Sequence, residues 1–376
     1  MTGPLIARDL GLSAGAVYGA YSALLAASAL VAPAVGRAID LHGGRPVLSA
    51  GAVVAGLGLA LAAATDGVWS YTLCSLLLGV AAAMTLYDAA FPALVEATHP
   101  QGRRAITYVT FVGGFASTLS WPATAFFAAR IGWRNTYLLY AAIMVLVCLP
   151  VTMFALPARP KAAPLAAAPP QPAGEAVLAG RARRRAFALF AAAVTANQFA
   201  ASGLLIHIID LAGRAGLAEA AAIVLGMLFG PAQVLARLGE MLFGTRFSPI
   251  ATGRVAMACL PAGLILLVLL PASFAASALF VVALGVSNGL VTIARGTVTL
   301  ALFGPEGYGA RMGRLTVPTL AARAAGPVAF AVSVEAWGVR STLLAGLALA
   351  LASLLLMEAM AALARRAGRD APERVW

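Results

Sequence analysis

The sequence predicts an all-α membrane protein built from two related helical bundles. Three observations carry this. Hydrophobic residues make up 61% of the 376 residues and charged residues only 11%, against about a quarter charged in a soluble domain. Eleven apolar runs reach the ~17–25 residues that cross a bilayer. The second half of the chain also repeats the first. In a bilayer the runs must be helices, because an unpaired peptide group is costly there and only helices and closed barrels pair every one.

The runs fall near 14–35, 47–65, 69–95, 105–129, 135–156, 186–209, 217–243, 255–271, 273–303, 313–337 and 340–363. Leu78-Gly79-Val80 recurs as Leu284-Gly285-Val286. Gly132-Trp133-Arg134 recurs as Gly338-Val339-Arg340 at the same offset. Gly36 pairs with Gly239 at a slightly smaller offset, with Phe243 where Asp40 predicts an acid. Near-constant spacing argues for duplication. The expected organisation is a first bundle over 1–157, a Pro/Ala/Arg-rich linker over 158–184, a second bundle over 185–364 and a tail over 365–376. Prolines at 157, 160, 164, 169, 170 and 172 exclude a continuous helix in the linker.

Most of the Arg, and the single Lys, Lys161, lie in alternate loops. That bias places the 36–46 loop, the linker and the C-terminus on the cytoplasmic side. The formal net charge of +12 therefore points to an anionic lipid surface rather than to nucleic acid. Cys74, Cys148 and Cys259 sit in apolar runs without metal-ligand spacing and read as small packing residues. No metal or cofactor is expected.

Between the first two runs lies the polar loop Gly36-Arg37-Ala38-Ile39-Asp40-Leu41-His42-Gly43-Gly44-Arg45. It resembles the G-x-x-x-D-R-x-G-R-R signature of the major facilitator superfamily. Gly36, Asp40, Gly43 or Gly44, and Arg45 match; Leu41 stands in place of the usual Arg and Pro46 in place of a second basic residue. Arg37 adds charge to the same turn. The resemblance implies a two-bundle transporter fold and a gating role for Asp40 near the start of the run at 313, around Arg311 to Arg314. It also implies twelve helices, with the signature after the second. Only one run precedes it here, so the eleven runs take places 2 to 12 and the first place is empty. An internal start codon and a genuine eleven-helix variant both account for this. Ser75 and the position of Pro122 depart from the drug-antiporter branch. The Gly-Trp-Arg at 132–134 and the Arg-bearing later runs look more like bacterial monocarboxylate/oxalate-type facilitators.

Charges inside membrane runs are expensive and mark functional candidates. Asp88, Arg237, Glu240, Arg295 and Arg323 are those residues. Arg237 and Glu240, three apart, share a helix face; they read as a structural or gating pair, or as substrate anchor and proton carrier. Asp88 and Arg295 occupy adjacent positions of the repeat and read as a bridging pair or as substrate or proton groups. Arg323 suits a carboxylate or another oxyanion, or is a buried structural Arg held by carbonyls. Asn197, Gln198 and Asn288 are uncharged candidates for the pathway.

The leading expectation is secondary active transport of a small solute, an organic anion among the candidates, by alternating access with proton coupling. The protein would act as a monomer in a bacterial inner membrane. Efflux of drugs or of a toxic metalloid or oxyanion is the alternative. A non-transporting membrane sensor or scaffold is the alternative of another class. No H-E-x-x-H, G-x-S-x-G or P-loop motif supports an enzyme.

Overall fold

The computed structural model describes residues 2–158, 178, 180–206, 219–270 and 273–369. Most of the expected linker, 159–177 and 179, lies outside the described residues. Among these residues the chain is all helix: α1 Gly3–Asp9, α2 Ala14–His42, α3 Gly44–Ala63, α4 Val68–Thr85, α5 Tyr87–Thr98, α6 Gly102–Gly114, α7 Ala116–Ile143, α8 Leu149–Ala155, α9 Gly180–Ile206, α10 Glu219–Phe243, α11 Pro249–Leu269, α12 Phe274–Phe303 and α13 Tyr308–Arg369. Eight stretches are long and apolar enough to cross a membrane. This is a multi-pass all-α membrane protein.

Local chemistry explains the helix starts. Ser13, Ser248 and Ser273 each accept a hydrogen bond from the backbone N–H three residues on, at 3.1–3.2 Å. Such a cap satisfies one of the unpaired donors of the first turn. Two helical stretches, Gly102–Ala155 and Tyr308–Ala367, run 54 and 60 residues. At 1.5 Å per residue each far exceeds the ~30 Å hydrocarbon core. Gly132 (φ +80°) and Gly338 (φ +77°) interrupt them with non-helical backbone, in a region that only glycine enters freely. Their equivalence in the sequence repeat is thus matched in conformation.

The chain divides into two compact units. The first comprises Met1–Ala105, Phe115–Ala163 and Pro305–Ala321; the second comprises Ile106–Gly114, Pro164–Gly304 and Ala322–Trp376. In the first, Gly79 on α4 lets that helix approach α2 so closely that a Cβ would overlap the Leu24 carbonyl. In the second, Gly285 on α12 does the same against α10, where a Cβ would stand 2.7 Å from the Phe229 carbonyl oxygen. Close packing through small residues is how membrane helices associate without a hydrophobic drive between them. The second unit is centred on α12, packed between α10 and α11, with Leu260, Leu264, Phe280 and Leu284 fully or nearly fully buried.

Four details differ from the sequence expectation. The 69–95 run is two helices, broken at Leu86 (ψ −176°). The 135–156 run contains a π-helical turn at Met144–Cys148 just before Pro150, whose missing N–H cannot support a regular helical bond. Helix α9 begins at Gly180, so Arg181, Arg183, Arg184 and Arg185 stand on its first turns. Helix α13 begins at Tyr308 rather than near 313.

Beyond Gly132, Arg134 closes the end of α3. Its Nη1 donates to the carbonyls of Ala63 (2.7 Å) and Thr65 (2.8 Å), and its Nη2 lies 3.1 Å from Asp9 Oδ2. Trp133 Nε1 also donates to Asp9, at 3.1 Å. Replacing Arg134 with Ala leaves carbonyls of a helix end without their donor. It should cost ~1.5–3 kcal/mol, the worth of a hydrogen bond to a charged group, visible as a lowered unfolding midpoint in detergent. Asp9→Asn should cost less, because the ion pair is 38% and 48% exposed and exposed pairs contribute ~0–1 kcal/mol. Equal losses would contradict the capping account.

Candidate functional site

The polar loop of the first unit is built at the end of α2. Gly36 and Asp40, four apart, share one helix face. Gly36 lies against the backbone of Gly309, where a Cβ would overlap the Gly309 carbonyl; Gly313, one turn on, lies the same way against Ala32. This backbone-to-backbone approach brings Asp40 onto the first turn of α13. Gly309 N donates to Asp40 Oδ1 and Ala310 N to Oδ2, each at 2.8 Å. These N–H groups have no helical acceptor of their own, and the helix start carries partial positive charge that favours a carboxylate.

The rest of the loop is fixed around this contact. Gly43 turns the chain at φ +90°. Gly44 is buried, and its N–H donates to Glu96 Oε2 at 2.7 Å. Arg37 is exposed and Arg45 half-buried. Arg311 is buried and donates to the Glu306 carbonyl. Glu96 was not a sequence candidate; its signal was an acid at the loop end of the 69–95 run.

The expected equivalence of Gly36 and Gly239 does not hold in packing. A Cβ at Gly239 would meet nothing within 4 Å. One residue on, Glu240 is half-buried and accepts from the Thr252 hydroxyl, 3.1 Å from each carboxylate oxygen.

In the second unit the intramembrane candidates occupy α9, α10, α12 and α13. Arg237 is 5% exposed, and its Nη1 donates to the Thr110 carbonyl at 2.9 Å. Arg295 is buried on α12. Asn197 is fully buried; its Nδ2 points to Ser287 Oγ at 3.4 Å, and Ser287 in turn donates to the Ala256 carbonyl at 2.7 Å. Gln198 is buried beside it, and Asn288, next to Ser287, is half-buried. Gln233 on α10 reaches the same level, since a Cβ at Gly289 would stand 2.7 Å from its carbonyl oxygen. A polar layer of Asn197, Gln198, Gln233, Ser287 and Asn288 therefore crosses this unit. Ser287 was not foreseen; a lone Ser in an apolar run carries little signal.

Arg323 is a correction. Its side chain is exposed rather than buried, although it stands well inside a long apolar helix. Asp88 is half-buried and lies in the first turn of α5, just past the break at Leu86, rather than inside a continuous helix. Among the described residues no group of three or more His, Cys, Asp or Glu could hold a metal ion.

Paired compact units of apolar helices, with charges at helix ends and inside spans, are the plan of a membrane solute transporter. The model of the Major Facilitator Superfamily matches residues 1–292, and the chain belongs to that family. It is thus a transporter. The human organic anion transporter MFSD10 (TETRAN) matches in structure with a TM-score of 0.74 at 17% identity, over 94% of this chain and 88% of that one. The transporter FucP in its outward conformation matches with a TM-score of 0.67 at 16% identity, over 93% and 89%. At these identities the likeness is one of fold. No curated protein matches the chain in sequence.

Proposed function

We propose that the protein is a secondary active transporter of a small organic anion, working by alternating access with proton coupling. In this reading it is a monomer in a bacterial inner membrane, with the 36–46 loop, linker and C-terminus cytoplasmic. The Gly-Trp-Arg at 132–134 and the Arg-bearing later helices support a place among the monocarboxylate/oxalate-like facilitators. The observation that carries the reading is Arg323, an exposed guanidinium inside an apolar helix. Such a charge needs a reason, and its planar donor fork suits a carboxylate. One protein of similar fold is a human organic anion transporter.

In this scheme Asp40 and its loop, Gly36, Arg37, Gly43, Gly44 and Arg45, form the cytoplasmic gate. Arg323 and Arg295 attract the anion. Asp88 and Glu240 carry protons, and Arg237, Asn197, Gln198 and Asn288 line the path. The test is anion binding and uptake in proteoliposomes. Arg323→Ala and Arg295→Ala should each weaken binding by ~1.5–3 kcal/mol, the worth of a charge-assisted hydrogen bond, or about tenfold to a hundredfold. Arg323→Lys should rescue only in part. Wild-type affinity in both Ala variants would overturn the anion reading.

A further inference from the structure

We infer that one end of the second unit binds a membrane lipid carrying two phosphates, held between Arg184 and Arg185 of α9 and Arg365 and Arg366 of α13. This stands apart from the anion reading above, since it concerns the lipid around the protein and not the solute.

The register of four helices builds the site. Asn197 meets Ser287 while Leu178 N donates to the Leu302 carbonyl, so α9 runs antiparallel to α12. Ser287 donates to the Ala256 carbonyl and Gly263 lies against Phe280 and Ala283, so α11 is antiparallel to α12 as well. Beyond Gly338, α13 runs against α11: Ser353 meets Met257, and Gly253 lies against Met357. The closing part of α13 is therefore antiparallel to α9. Ser353 Oγ ties the two directly, donating to the Ala193 carbonyl at 2.9 Å. Arg181 lies twelve residues before Ala193 and Arg365 twelve after Ser353, ~18 Å along each helix. Two basic groups far apart in the chain reach one level.

That level is the edge of the apolar spans. Arg181, Arg183, Arg184 and Arg185 directly precede the run that begins at 186, and Arg365 and Arg366 follow the run that ends at 363. Arg183 is half-buried and the other five are exposed. Neither α9, α11 nor α12 carries an acid. Glu358, two turns before Arg365, pairs with Arg254, and Glu240 of α10 accepts from Thr252. Like charges this close repel, and a lipid phosphate is the anion available at that depth.

The division into two groups defines the ligand. A guanidinium takes a phosphate bidentately through its planar fork. Arg184 and Arg185 supply one pair of forks, and Arg365 and Arg366 supply another on a helix packed ~8–10 Å away. Two phosphates joined by one glycerol meet both pairs; a single phosphate leaves one pair unmet. A path for an acyl chain adjoins them. Leu351, Leu355 and Arg366, spaced four and eleven apart, share a face of α13, and the two leucines are 38% and 68% exposed. A chain rising from a phosphate at Arg366 lies along them.

The test is native mass spectrometry and thermal unfolding of the full-length protein in detergent. The probes are diphosphatidylglycerol, phosphatidylglycerol, phosphatidylcholine and inorganic pyrophosphate. Diphosphatidylglycerol should bind one to one, at least tenfold tighter than phosphatidylglycerol, and should raise the unfolding midpoint. Phosphatidylcholine and pyrophosphate should do neither. Arg184→Gln with Arg185→Gln, and Arg365→Gln with Arg366→Gln, should each weaken diphosphatidylglycerol at least tenfold and bring it level with phosphatidylglycerol. All four side chains are exposed, so the lipid-free midpoint should stay at the wild-type value. Arg340→Gln, at the other end of the same part of α13, should bind as the wild type does. Equal binding of the one- and two-phosphate lipids would show a diffuse basic surface and overturn the inference. So would a preference that survives both double variants, which places the site elsewhere. Pyrophosphate bound as tightly as the lipid would make the ligand a soluble phosphate and overturn it too.

Discussion

Asp40→Asn should reduce solute uptake at least tenfold while the protein still inserts and folds. The carboxylate accepts two backbone N–H groups of the α13 start, one on each oxygen, at 2.8 Å. Asparagine offers one acceptor and turns an NH₂ toward the second N–H, so one bond is lost and a donor faces a donor. The negative charge at the positive helix end is lost too. Together these remove about 1.5–3 kcal/mol from the conformation that contains the contact, a shift of ten- to a hundredfold or more in its population. Uptake into proteoliposomes measures the rate. Cysteine labelling near Gly309 reports the opening: labelling should rise in the variant. Unchanged uptake and unchanged labelling would reduce Asp40 to a polar turn residue.

Gly36→Val should be worse, and in a different way. At Gly36 and Gly309 the two helix backbones touch, and any Cβ at 36 overlaps the Gly309 carbonyl. Backbone cannot swing aside as a side-chain tip can, so the α2–α13 crossing must separate. Separation by even an ångström or two lengthens both Asp40 hydrogen bonds beyond useful range. Uptake should therefore fall below that of Asp40→Asn, and adding Asp40→Asn to Gly36→Val should cost nothing further, because neighbours in one contact are not additive. Gly19→Val on the same helix, where a Cβ meets nothing within 4 Å, is the control and should retain uptake. Full independent losses in the double variant would show that Gly36 and Asp40 do not act through one contact.

Much of this protein was legible in its residues. The spans follow from hydropathy, which is a property of each residue's transfer from water and needs no partner. The breaks at Gly132 and Gly338 follow from the repeat, since glycine alone enters that backbone region at little cost. The signature loop announced an acid near the start of a later helix, and Asp40 does bond to Gly309 and Ala310.

Other features were hidden. The Gly36–Gly239 pairing looked sound in sequence, yet only Gly36 lies at a backbone contact. The helix break at Leu86 is marked by no Gly or Pro between 82 and 90. Glu96, Ser287 and Thr252 carry no motif, and each matters through what it touches.

Sequence by itself determined the membrane class, the helical segments and the acid at the loop. Those are set by solvation and backbone preference within a few residues. Only the tertiary structure decided that the Asp40 partners are two backbone amides 269 and 270 residues away, that Arg323 is exposed while Arg237 and Arg295 are buried, and that Arg181 and Arg365 reach one level of their unit. Burial and hydrogen-bond partnership are properties of packing between distant segments. They depend on how helices meet, which no single stretch of chain encodes.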